Sequence, residues 1–177
     1  MTTSSIDYRK YYDDEEYLLD VGQNFRKHGT LDAPDLYMLL MWKANRAKNY
    51  HRERLKRKAG SFEAAASGIA SDLTASSEPK QRLQVLMINW DFALPTATAI
   101  LALLHPEEFT VYDWRVCDEI EFAYKPWVCF SDKLWDEYCR FKEGVVAATP
   151  GHLTLREKDR FLIGRSIRSE LERDCRD

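Results

Sequence analysis

Residues 94–104, LPTATAILALL, constrain this chain more than any other stretch, because they read as a helix with almost no polar face. A helix that is apolar all round must be buried on every side, so the remaining elements have to be arranged around it. Pro95 suits the first turn, where a missing N–H costs nothing. Thr96, Ala97, Thr98 and Ala99 are small enough to let another backbone or a ligand approach closely, while Ile100, Leu101, Leu103 and Leu104 fix the helix in a core. Pro106 ends it. The connection HPEEFTVY then delivers Asp113 to the start of the next helix, where the commonest use of an aspartate is to cap the helix N-terminus.

The chain around this element reads as helix after helix. Residues 13–28 carry acids first and bases last, in the sense of a helix dipole, and Gly29 is a C-cap. Asp32 caps APDLYMLLMWKANR, with Pro34 in its first turn. Ser61 opens FEAAASGIASDL, and Ser76 or Ser77 opens EPKQRLQVLMIN, where Leu83, Leu86 and Met87 recur at helical spacing. Asp113 caps 114–124. Ser131 caps 132–147, with the stripe Leu134, Trp135, Tyr138 and Phe141. Thr154 and Glu157 form a capping box for the last helix, whose stripe is Leu155, Leu162, Ile163, Ile167 and Leu171. No run alternates as a strand does, and the best extended piece is Phe109 to Tyr112. SGIASDLTASSEP, 67–79, is the most polar small-residue stretch, a linker too short to divide domains. The expectation is a single compact all-α domain over 1–177, of about seven or eight helices.

Composition narrows the class. The chain has 177 residues, of which 45% are hydrophobic and 12% aromatic, enough to bury a core and to exclude disorder. Its net charge of −3 gives no global sign of a nucleic-acid binder. No apolar run reaches a membrane span, the N-terminus has no signal-peptide core, and Cys117, Cys129, Cys139 and Cys175 have no zinc or iron–sulfur spacing. A cytoplasmic protein with reduced thiols and no membrane partner is expected, with no metal and no cofactor, since His28, His51, His105 and His152 are scattered. His105, beside Pro106, is read as a turn residue, and Trp127, Trp135 and Tyr138 as core. The local charge says more. WKANRAKNYHRERLKRK, 42–58, sets eight Lys and Arg against Glu53 alone, interleaved with Trp42, Asn45, Tyr50 and His51. Such a run is either a solvated helix end or a phosphate-binding surface. Lys43 and Arg46, three apart on one helical face, can point together at an anion, with Lys48 and Arg52 beyond them.

The segments TATAIL and VYDWRV together resemble the helix-hairpin-helix DNA glycosylase superfamily, the group containing endonuclease III and 8-oxoguanine glycosylase. That family carries a hairpin of the type L-P-G-V-G, a T-A-containing helix, and V-D-x-x-V, whose aspartate is catalytic. Aligning TA with TA sets Asp113 on the catalytic aspartate and Pro95 on the catalytic-lysine position, eighteen residues earlier. MWKANR and LPTATAILALLHPEEFTVYDWRV also resemble segments of small bacterial proteins of this fold. The likeness is clear over 94–116 and extends more weakly over about 36–147. It departs from the pattern in three places. DFAL, 91–94, lacks the hairpin glycines, Pro95 cannot form a Schiff base, and the cysteines do not match the iron–sulfur loop.

The resemblance implies a base-excision enzyme of the DNA-repair class: a glycosylase that extrudes a damaged or modified base and leaves an abasic site, with DNA, duplex or single-stranded, as partner. Asp113 would be the catalytic carboxylate, Tyr112 a pocket wall, and Trp114 a packing or stacking residue. Arg115 would hold a phosphate or pair with Asp118 or Glu119 on its own helix. Pro95 and Thr96 would line the approach, and Lys43 and Arg46 would grip the backbone or the base. Two other classes fit the sequence: a non-catalytic nucleic-acid-binding module of the same fold, and a helical protein-interaction domain.

Overall fold

The computed structural model describes residues 14–175, and among them the structure is wholly helical: nine α-helices, one π-helical turn and no strand. The chain divides into two compact units, residues up to Ser71 and residues from Asp72 on, so that the division falls inside one helix. No described helix is long and apolar enough to cross a membrane.

The first unit begins with α1 (Asp14–His28), which buries Leu18, Val21 and Phe25 at helical spacing. Gly29 ends it with φ +67 and an N–H bonded to Phe25 O at 2.7 Å, a left-handed cap that suits glycine. Asp32 caps α2 (Ala33–Ala44) by accepting from Asp35 N at 2.8 Å, and α2 buries Leu36, Met38, Leu39 and Leu40. α2 stops at Ala44 and does not run through Arg46. Residues 45–47 form a turn, and a separate basic helix follows, α3 (Lys48–Ala59), with only Leu55 buried. Ser61 caps α4 (Phe62–Ala75), its Oγ accepting from Ala64 N at 2.9 Å. Most of the stretch expected as a linker, 67–75, is the second half of this helix, because Ile69, Ala70 and Leu73 make a buried face among its small residues.

The second unit opens with α5 (Pro79–Gln84). Its cap is Glu78, in a capping box with Gln81, and neither expected serine takes that place; Ser76 Oγ donates instead to Asp72 O at 2.8 Å. The π-helical turn Val85–Asn89 continues α5 and, with it, buries Leu83, Leu86 and Met87. α6 (Leu94–Leu104) buries ten of its eleven residues, all but Pro95, as an all-apolar helix must. His105 is its C-cap, and Asp113 caps α7 (Trp114–Glu119). α7 is half the expected length. Glu121 takes φ +53, a left-handed position that ends the helix, and Phe122 N–H turns back to Cys117 O at 2.8 Å. Residues 122–130 are irregular. Ser131 caps α8 (Asp132–Ala147), which buries Leu134, Tyr138, Phe141 and Val145 and leaves Trp135 half-buried. Gly144 permits a close approach, since a Cβ there would stand 3.0 Å from Ile120 Cδ1.

The Thr154–Glu157 capping box starts α9 (Leu155–Asp174) as expected, but the expected stripe is not the buried face. Of its members only Leu162 is buried; Ile167 and Leu171 are 44% and 58% exposed. The buried residues of the first turns are Lys158 and Asp159.

Asp159 explains why. The segment 109–112, expected to be extended, lies outside any helix and is buried, and among the described residues no strand is there to pair with it. Buried peptide groups must still be hydrogen-bonded, and here three side chains do this. Asp159 Oδ2 accepts from Val111 N at 3.2 Å and from Thr110 Oγ1 at 3.4 Å. The Tyr138 hydroxyl donates to Thr110 O at 2.8 Å and accepts from Thr110 N at 3.0 Å. Thr98 Oγ1, in α6, accepts from Tyr112 N at 3.0 Å. Arg156 Nη1 balances the Asp159 charge at 2.5 Å.

Removing these groups tests the arrangement. Asp159→Ala removes the acceptor of Val111 N–H and the carboxylate that Arg156 pairs at 2.5 Å, and should cost about 3–5 kcal/mol in urea unfolding. Tyr138→Phe strips both partners from Thr110 and should cost about 1–3 kcal/mol. Burial raises the Asp159 carboxyl above its ordinary value of 3.8, against the pull of Arg156, Val111 N–H and the Thr110 hydroxyl. A raised carboxyl contributes stability that is full below the ordinary value and is lost as pH rises through the folded value. Unfolding of the wild type across acid pH should therefore carry this slope, and Asp159→Asn should remove it.

Candidate active site

Asp113 is half-buried at the head of α7, directly after the buried segment 109–112, and one carboxylate oxygen accepts from Arg115 N at 3.0 Å. It therefore serves as the N-cap that an aspartate in this position ordinarily is. Its support comes from the residues just before it, whose peptide groups are fixed from α6, α8 and α9. The carboxylate thus projects from a rigid base to a partly exposed position.

Tyr112, read as a pocket wall, lies in the core with 1% exposure. Its ring meets Phe141 edge-on at 4.9 Å and stacks on Tyr124 at 5.3 Å. Its hydroxyl accepts from Lys125 N at 2.9 Å and so ties down the irregular segment 122–130. Burial pushes the phenol up to about 12, and likewise the buried Cys117 thiol up to about 12.

Trp114 is half exposed, with the Arg115 guanidinium 4.7 Å from its ring centroid. Arg115 does not pair with Asp118 or Glu119. Its Nη1 reaches α9, to Glu170 Oε2 at 2.6 Å and Ser166 Oγ at 3.5 Å, while Glu119 is taken by Arg165. These ion pairs staple α7 to α9.

Tyr124 is a residue the sequence reading passed over. It is 41% exposed, one ring face stacks on Tyr112, and its hydroxyl is raised first by burial and then by the negative charge of Asp113. Inside an expected helix 114–124 it looked like an ordinary helix end, and only the early stop of α7 brings it back toward Asp113.

The head of α6 follows DFAL, 91–94, the stretch that lacks glycines. Its amides are engaged: Leu94 N–H donates to Trp127 O at 2.9 Å, Thr96 and Ala97 N–H to Ala93 O at 3.0 and 2.9 Å, and Pro95 has none. Pro95 is half-buried and Thr96 buried. Trp127, expected in the core, is half-buried and supplies this cap through its carbonyl.

In the first unit the cations fall on two elements. Lys43 is in the last turn of α2 and Arg46 in the turn beyond it, so they do not share one helical face. Lys48 opens α3 and bonds Asn45 Oδ1, and Arg52 pairs with Glu53 at 3.0 Å. Arg46, Tyr50, Lys56, Arg57 and Lys58 are exposed. His51 is held below its ordinary value by burial and by Arg54 beside it, so it stays neutral at pH 7 and adds no cation. Among the described residues no three His, Cys, Asp or Glu side chains are placed to hold a metal ion.

No protein-family model matches this chain, and no match was found among curated proteins or solved structures.

Asn caps helices about as well as Asp. Asp113→Asn should therefore leave thermal stability nearly unchanged, whereas Asp113→Ala should cost about 1 kcal/mol. Tyr112→Phe removes the acceptor of Lys125 N–H. Hydrogen exchange at that amide should quicken markedly, with a stability loss of about 1 kcal/mol.

Proposed function

We propose that this chain is a glycosylase-like, cytoplasmic DNA-acting protein that hydrolyses an N-glycosidic bond with Asp113 as its carboxylate. The observation that carries the reading is the presentation of Asp113: a half-exposed carboxylate on a segment fixed from three helices, in the sequence frame TATAIL…VYDWRV. As the base leaves, positive charge develops on the sugar, and an ionised carboxylate beside it stabilises that charge and orients the attacking water. Water adds its oxygen to the sugar carbon, the carbon–nitrogen bond breaks, and the base departs with a proton. Pro95 has no amine for a Schiff base, so the product is an abasic site and not a cut strand. Trp114 and Tyr124 offer exposed rings near the carboxylate, and Lys43, Arg46, Lys48 and Arg52 supply cations for phosphates.

A second reading, a DNA-binding module without chemistry, is favoured by the engaged amides at the head of α6, which leave no open N–H at Leu94, Thr96 or Ala97 for a phosphate.

Base release separates the two. The protein is incubated with duplex and single-stranded oligonucleotides carrying oxidised, alkylated and deaminated bases, then treated with hot alkali. Strand breaks that require alkali, and that vanish in Asp113→Asn while its melting curve is unchanged, are the expected result. DNA bound in a salt-dependent way with no base released by the wild type would establish the second reading.

A further inference from the structure

The second unit holds a groove of about 480 Å³ between the end of α8 and the start of α9, which Asp113 does not line. That volume is within the range of small-molecule sites, about 300–1,000 Å³. Its floor is apolar, Val146 and Leu155, and Val146 is 47% exposed there. Two lysines line it. Lys158 is only 5% exposed, and its Nζ donates to Thr149 Oγ1 at 3.1 Å and Pro150 O at 2.7 Å. Lys142 Nζ donates to Glu108 O at 3.2 Å. Among the described residues both ammonium groups thus bond only neutral oxygens, and each retains at least one of its three N–H donors. A buried ammonium bonded only to neutral groups is an incomplete arrangement, since a buried charge is ordinarily paired. Two acids, Glu107 and Glu143, also line the groove; both are exposed, and neither is in an ion pair among the described residues.

Two lysines, two carboxylates and an apolar patch lining one groove together match a molecule with one negative end, one positive end and an apolar body. We propose that this groove binds a small zwitterion of that kind, an α-amino acid with an apolar side chain. Its carboxylate meets the Lys158 and Lys142 ammonium groups, its ammonium meets Glu107 and Glu143, and its side chain covers Val146 and Leu155. The two acids repel a simple carboxylate, and the two lysines repel a simple amine. The inference stands apart from the chemistry proposed for Asp113.

The test is a titration of the full chain with phenylalanine, followed by backbone amide NMR shifts. N-acetylphenylalanine, lacking the ammonium, and phenethylamine, lacking the carboxylate, are run alongside. Saturable shifts confined to residues 107–108 and 142–158 are expected for phenylalanine, with both analogues about ten-fold weaker or worse, the scale of one lost charge-assisted bond. Lys158→Met should abolish binding. Val146→Arg, a half-exposed position where arginine is a good helix former, should block the floor without unfolding the chain, so the test survives if the lysine variant fails to fold. Absence of shifts with phenylalanine, equal binding of either analogue, or undiminished binding in Val146→Arg would overturn the proposal.

Discussion

A single carboxylate decides how the second unit is put together. The stretch from Thr110 to Tyr112 is buried outside any helix, and the described residues form no strand, so its peptide groups have no ladder to join. Left unsatisfied, each would cost on the order of 1–3 kcal/mol. Asp159 answers two of the donors, Tyr138 takes both groups of Thr110, and Thr98 takes Tyr112 N–H. One acceptor therefore comes from each of α6, α8 and α9, and the three helices are registered against the same short piece of backbone. Ionising Asp159 in this interior is tolerable because Arg156 and the two donors return part of the lost hydration.

Which parts of this were legible beforehand follows from the range of the interactions involved. Caps are local, so Asp32, Ser61, Asp113, Ser131 and the Thr154–Glu157 box could be read where they stand. The apolar α6 could be read because burial on all sides leaves only one composition. The early end of α7 could not, since Glu121 adopts a left-handed backbone that nothing in its side chain announces. The buried face of α9 was misread for a related reason. A stripe of Leu and Ile looks like a core face, whereas only its Leu162 turns inward, and the other inward residues, Lys158 and Asp159, become buriable only through partners up to 49 positions away.

The candidate site divides along the same line. Asp113 is marked by its place between a proline-led connection and a helix, and the structure puts it at that helix's head. Tyr112, expected as a pocket wall beside it, is buried instead, because Phe109, Thr110, Val111 and Tyr112 are all buried and the segment has no outward face. Arg115 had acids within reach on its own helix; it reaches α9 because its side chain crosses to Glu170, a partner 55 residues on. The closed head of α6 was half legible. DFAL showed in advance that no glycine precedes α6, and the carbonyl of Trp127 that takes Leu94 N–H could be seen only once residues 122–130 proved irregular.

The reach of Asp159 also has a meaning in time. The backbone it holds lies 48 residues upstream of it, and contacts of long sequence separation form late, because the loop between them must close first. During synthesis α6 and the segment leading to Asp113 leave the ribosome well before α9 exists. Until Thr154 caps that last helix, the peptide groups of 110–111 have only Tyr138 and water to bond. The hydrogen bonds behind Asp113 are thus complete only once α9 is present, and a nascent chain that stops short of α9 contains Asp113 without the Asp159 part of the scaffold that orients it.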